Sequence, residues 1–208
     1  GHLWMERRPL LRFVVTVFAL LPACFLLWFA LSSFLTAPAV MVAKPILLGW
    51  LPDLIDTVQL HGAQMMVLSG FGESGGEIAA ADVAGNQLGY PVNTRVMSYS
   101  MPFFAALHFA TPQRARLERF AWCLVALWTL LAIGLIATTM KNLMLGLGST
   151  FVDAPRVPPA DAIALAYQFS TIMVPPLAPV ILWAVSASDS ATFRSLLPAS
   201  LRPAPRRG

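Results

Sequence analysis

The sequence predicts a mainly α-helical polytopic membrane protein, with four transmembrane helices and a small extracytoplasmic β mini-domain between the first two. Three observations carry that expectation. First, 57% of the 208 residues are hydrophobic and only 12% are charged, with a mean hydropathy of +0.69, whereas a soluble domain has about a quarter of its residues charged. Second, the apolar residues fall in long blocks, which read as spans rather than as one core. Third, arginines gather at the ends of those blocks.

Residues 1–12 form a basic N-terminus with Arg7, Arg8 and Arg12. The four residues before Met5 read either as a tag remnant or as an upstream native start, and carry no weight in the fold. Residues 13–35 are an uncharged run of about 23, enough for the roughly 20 that a helical span needs. Ala37-Pro38-Ala39 imitates a cleavage site, but a secretory apolar region runs only about 7 to 15 residues, so an uncleaved signal anchor is expected.

Residues 36–56 stay apolar but carry Pro38, Pro45, Gly49 and Pro52, with Lys44 and Trp50. This suits an interfacial helix, where tryptophan and a snorkelling lysine both fit; the alternative is a continuation of the first helix. Residues 57–92 then change character. Thr57 to Leu68 reads as a strand bulged at Gly62, Gly70 to Gly76 as a turn, Glu77 to Val83 as a second strand, and Gln87 to Tyr90 as a short third. A free hairpin is marginally stable in water, so this β segment is expected to rest on the membrane, on its own helices or on a partner.

Residues 93–111 form a short second span ended by Pro112, and 112–119 a tight basic turn. Residues 120–140 form a third span of about 21 residues. Residues 141–161 read as a loop, and 162–185 as a fourth span whose Pro175, Pro176 and Pro179 require a kinked or locally unwound helix. The tail 186–208, rich in Arg, Pro and Ser, reads as disordered. This threading puts Arg7, Arg8, Arg12, Arg114, Arg116, Arg119, Arg194, Arg202, Arg206 and Arg207 on one side, and only Lys44, Arg95, Lys141 and Arg156 on the other. The positive-inside rule makes the first side cytoplasmic, with both termini inside and the β segment outside.

Chemical signatures are sparse. Neither a soluble basic face nor aromatic-basic interleaving supports nucleic-acid binding, and HExxH, GxSxG, a phosphate-binding glycine loop and paired carboxylates are all missing from the sequence. Cys24 and Cys123 sit inside apolar blocks, without the spacing of a disulfide or metal framework, and read as buried small hydrophobes. No catalytic residue, cofactor or metal is expected. His108 is the one ionisable group inside a span and so a functional suspect, but its place about 6 Å from Pro112 also suits a structural imidazole at the interface. His61 reads as a surface residue.

The stronger signal is a polar set at similar depth. Asn93, Arg95 and Tyr99 open the second span, while Tyr167, Gln168 and Thr171 lie a turn or two inside the fourth. Polar groups at that depth need partners, so the expectation is a hydrogen-bonded cluster that holds the bundle or receives a partner helix.

The stretch Asn93 to Pro112, with Tyr99, Pro102, Ala106-Leu107 and Ala110-Thr111-Pro112, resembles the most characteristic segment of the exosortase H-associated membrane proteins. So does Ala166-Tyr167-Gln168 followed by Pro175, Leu177-Ala178-Pro179-Val180 and Trp183. The order of elements is similar over nearly the whole chain. The resemblance implies a bacterial inner-membrane companion of an exosortase, the multi-spanning enzyme that processes proteins bearing a PEP-CTERM sorting signal. It implies an accessory rather than a catalyst, with the exosortase or its substrates as partners. Two other readings stay open: a transport or channel component, suggested by the kinked fourth span and polar set, and a membrane hydrolase using His108 or a cysteine.

Overall fold

The computed structural model describes residues 2–202, with side chains from Arg8 onward. Arg206 and Arg207, and the side chain of Arg7, which entered the orientation count, lie outside the described residues. The chain is mainly helical. Among the described residues, four helical stretches are long and apolar enough to cross a membrane: Arg8–Ala30, Ser32–Trp50, Arg116–Leu147 and Ala160–Ser186.

Three of these overlap the expected spans 13–35, 120–140 and 162–185; the fourth is Ser32–Trp50 in place of the expected 93–111. Helix α1 (His2–Ala30) is followed after one residue by α2 (Ser32–Trp50), so the segment expected at the interface is a regular helix despite Pro38 and Pro45. Its buried residues Ser32, Thr36, Ala39, Val40, Ala43 and Leu47 recur at helical spacing and form one small-residue face, which sets the segment against the rest of the protein. Proline removes an N–H and disturbs the ladder one turn earlier. The carbonyls so freed are those of Phe34 and Met41; beside the first, the indole N–H of Trp128 donates to the Leu35 carbonyl at 2.7 Å. In contrast, 93–111 is not one long helix. It holds the end of a strand, the short α4 (Arg95–Ser98) and α5 (Ser100–Phe109).

The β region departs from expectation at Gly62. Instead of bulging, the chain reverses there: β1 (Ile55–His61) pairs antiparallel with β2 (Gln64–Ser69), and Gly62 has φ +61°. A two-residue hairpin turn that matches the strand twist needs such a left-handed residue, and glycine supplies it without steric cost. The bulge lies at Asp56, between Ile55 and Thr57. The stretch expected as a turn contains β3 (Phe71–Ser74), which pairs with β4 (Glu77–Ala80) across Gly75-Gly76. The second expected strand is cut short by helix α3 (Ala81–Ala84), and the third is displaced to β5 (Gly89–Asn93), pairing with β2. The larger sheet thus has the order β1-β2-β5.

After α5 come α6 (Arg116–Leu147), α7 (Ser149–Val152) and α8 (Ala160–Gln168). A π-helical turn, Phe169–Met173, leads into α9 (Val174–Ser186), followed by α10 (Ala191–Leu196) and a 3₁₀ turn, Ala199–Leu201. The π turn answers the proline run. Pro175 and Pro176 cannot donate to carbonyls four residues back, so the preceding turn widens, and Val174 N–H reaches Phe169 O. The tail expected as disordered carries α10. Ser190 caps it by accepting from Phe193 N–H at 3.0 Å, and the Phe193 ring packs edge-on against Trp183.

Contacts divide the chain into two compact units. One comprises Gly1–Ala30, Ser100–Leu127 and Pro176–Gly208; the other comprises Leu31–Tyr99 and Trp128–Pro175. In the first, Val17, Leu107 and Ala110 are buried among Phe13, Leu20, Leu21, Phe103 and Trp183, and Phe13 stacks on Trp183 at 5.4 Å. In the second, the β region rests on its own helices. Buried Leu47, Leu51 and Leu54 lead into the buried Ile55 and Val58 of β1, Trp50 Nε1 donates to Arg156 O at 2.9 Å, and the Tyr90 ring lies directly on Gly146, where any side chain would collide with it. The Tyr90 hydroxyl is buried without a hydrogen-bond partner. Burial, with the Glu73 carboxylate, pushes its ionisation upward.

Candidate functional site

The polar residues singled out in the sequence lie in the second unit. Asn93 ends β5 and its Oδ1 accepts from Arg95 N–H at 3.1 Å, turning the strand into α4. Thr94, fully buried, ties this corner to the β1–β2 turn, its hydroxyl donating to Ala63 O at 2.6 Å. Arg95 Nε donates to Ser32 Oγ at 3.1 Å, reaching α2. On the other set, Lys141 Nζ lies 4.3 Å above the Tyr167 ring, a cation–π contact. The Thr171 hydroxyl donates to Tyr167 O at 2.7 Å within its own helix. Gln168 is exposed and Tyr99 half-buried. The hydrogen bonds described for these six residues therefore run to α2 and within their own segments.

The segments that carry the two sets meet at a residue that the sequence did not single out. Gly134, on α6, faces Met97 of α4 and Ser170 of the π turn. A Cβ at Gly134 would lie 2.6 Å from Met97 Sδ and 3.5 Å from Ser170 Cβ. Met97 and Ser170 are buried. Thr138, one turn along α6, donates to Gly134 O at 2.8 Å and lies 4.0 Å from the Met97 sulfur. The missing side chain lets three segments approach closely, as small residues do where membrane helices pack without a hydrophobic driving force. A small residue within an apolar span was the only signal that could have marked it.

The first unit holds a second network. His108 is fully buried. Its Nε2 lies 2.7 Å from Arg116 O, and its Nδ1 lies 3.1 Å from Gln113 Nε2. A carbonyl can only accept, so Nε2 carries the proton and Nδ1 accepts from the Gln113 amide. Gln113 Oε1 in turn accepts from Arg119 Nη1 at 3.0 Å, and Arg119 makes a two-pronged ion pair with Asp189, both contacts 2.7 Å. With Phe104 and Phe120 at 5.3 and 5.6 Å from the imidazole, both ring nitrogens are committed. That geometry makes the histidine a fastener of the α5–α6 turn rather than a free base.

The Arg119 hydrogen bond holds the Asp189 carboxyl below its ordinary range. A depressed carboxylate contributes stability that is present above its unfolded value and lost as pH falls through the folded one. Asp189→Asn is therefore expected to raise amide exchange in α10 several-fold at neutral pH. In exchange followed by mass spectrometry, the difference from wild type should vanish below the carboxylate range. Equal exchange at neutral pH would show that the pair does not hold the helix.

Chemically, the two networks offer packing and hydrogen bonding. Cys24 and Cys123 are free thiols. Among the described residues, no group of three or more His, Cys, Asp or Glu is placed to hold a metal ion.

Long apolar helices, a glycine joint with a π turn, and a small β region resting on its own helices define a helical membrane protein. The particular family follows from comparison: the chain belongs to the exosortase H-associated membrane proteins, matched over residues 7–190. No curated protein and no solved structure matches it.

Proposed function

We propose that this protein is a non-enzymatic accessory subunit that binds an exosortase, or the PEP-CTERM proteins the enzyme processes, in the plane of the bacterial inner membrane. The observation that carries the reading is the family match, which covers almost the whole chain and names association with exosortase H. The Gly134 joint supports it, because a rigid joint between α4, α6 and the π turn presents a fixed helix surface to a partner. The polar set Asn93, Arg95, Tyr99, Tyr167, Gln168 and Thr171 lies beside that joint and supplies the partner-binding groups.

Both termini lie in the cytoplasm and the β region outside, on the arginine asymmetry. This is the threading of the sequence, in which the stretch before the β region crosses once and 93–111 crosses back.

Purification of the tagged full chain from its native membrane is expected to bring down an exosortase in near-stoichiometric amount, and substitution of Arg95 and Gln168 by Ala to weaken that recovery several-fold. Recovery of the chain alone would sink the partnership. Loss of substrate processing in a Cys24→Ala, Cys123→Ala, His108→Ala variant that still captures the enzyme would instead favour the hydrolase reading.

A further inference from the structure

The arginine-bearing end of α1 carries a feature that the accessory role does not use. A cleft of about 490 Å³ opens within the first unit, lined by Arg8, Arg12, Phe13, Thr16, Phe109 and Thr192. This volume lies within the range of small-molecule sites. Arg8 and Arg12 are one helical turn apart, about 6 Å along the axis, so both guanidinium groups serve one opening. Among the described residues no Asp or Glu lines it. Among the described residues the only ion pair is Arg119–Asp189. Both cleft arginines are exposed.

We infer that this cleft binds the phosphate of an anionic membrane phospholipid. Guanidinium forks match phosphate oxygens in pairs, and basic pockets between membrane helices at the headgroup level suit acidic lipids. The choice of a lipid over a soluble anion comes from the adjoining surface. Leu11, Val15 and Phe18, on the face of α1 beside the arginine row, are 63%, 58% and 69% exposed. They continue into a helix long and apolar enough to cross the bilayer, so a phosphodiester held by Arg8 and Arg12 has its acyl chains laid along them. The Thr16 hydroxyl is committed to Arg12 O at 2.7 Å, which leaves the arginines as the phosphate donors.

Native mass spectrometry of the full chain in detergent, titrated with phosphatidylglycerol or phosphatidylcholine, tests this. Wild type is expected to retain phosphatidylglycerol roughly tenfold better than phosphatidylcholine. Arg8→Gln with Arg12→Gln should abolish that preference, while Arg114→Gln, an exposed arginine outside the cleft, should keep it. Should the glutamine pair fail to fold, Arg8→Lys with Arg12→Lys carries the test: it keeps the charge but loses the fork, and should bind about threefold more weakly. An unchanged preference in either pair, or an equal loss in Arg114→Gln, overturns the site. Displacement of phosphatidylglycerol by an equal concentration of inorganic phosphate would identify a free-anion site and overturn the lipid assignment.

Discussion

Gly72→Ala is expected to release the β3–β4 hairpin from the rest of the β region. A methyl at Gly72 would overlap the backbone carbonyl of Asn86 and its Oδ1, and come within 2.9 Å of Ala84 Cβ. Two of these contacts are not floppy side-chain ends. The Asn86 side chain is fixed by a reciprocal pair, accepting from Glu73 N–H at 2.8 Å and donating to Glu73 O at 2.7 Å. Its backbone is held from both sides, by Gly85, left-handed at φ +76° after α3, and by Leu88 N–H on Phe71 O at 2.8 Å. Relief requires the strand or this loop to move, breaking both Asn86 bonds. Overpacking of about 1–3 kcal/mol with two lost hydrogen bonds gives a local cost of about 2–4 kcal/mol. A two-stranded sheet has little stability of its own to absorb that. Amide exchange should accelerate across 71–88 while α6 keeps its protection. Unchanged exchange in 71–88 would mean that the loop yields freely and that Asn86 is no clasp.

The legibility of this fold follows the physics that writes it. Long uncharged stretches such as 120–140 are plain because hydrocarbon tolerates few charges over about 30 Å. The segment 36–56 reads as a short helix at the interface rather than a long one, because Pro38, Pro45 and Gly49 interrupt it. A membrane helix keeps such breakers where packing neighbours hold it, and one neighbour here, Trp128, bonded to the Leu35 carbonyl, is more than ninety residues away. The segment's buried face, Ser32 to Leu47, recurs at helical spacing. The β region was misdivided at Gly62 because a lone glycine in an alternating run signals a bulge and a turn equally, and only the pairing His61 with Gln64 distinguishes them. Helix rise placed Tyr167, Gln168 and Thr171 at a depth, but it gives no azimuth. Hence Gln168 lies exposed and Thr171 turns to its own backbone. Met97 and Ser170 carried no signal, since their burial depends on a glycine on another helix.

Gly134→Leu is expected to separate α4 and the π turn from α6, at a cost of about 3 kcal/mol, the upper part of the overpacking range. The first atom met is Met97 Sδ, 2.6 Å from the added Cβ, and a thioether can ordinarily fold aside. Here Met97 is only 4% exposed and has Thr138 against its sulfur, so it has nowhere to go, and the remaining branches of leucine drive toward Ser170. Met97→Ala alone should also destabilise, by about 2–4 kcal/mol, through the cavity it leaves. Combined, the two changes compensate, because leucine at 134 fills the space that methionine vacates. The double variant should then be more stable than the sum of the singles by at least about 1 kcal/mol, read from reversible unfolding in detergent micelles. Strict additivity would mean that the residues do not share one space, and the joint would not exist as described. The same variants separate packing from recognition. If exosortase capture is lost in Gly134→Leu and returns in the double variant, the partner reads the helix arrangement that the glycine permits. Should capture stay lost while stability returns, the refilled joint holds α4 in an arrangement that the partner does not accept.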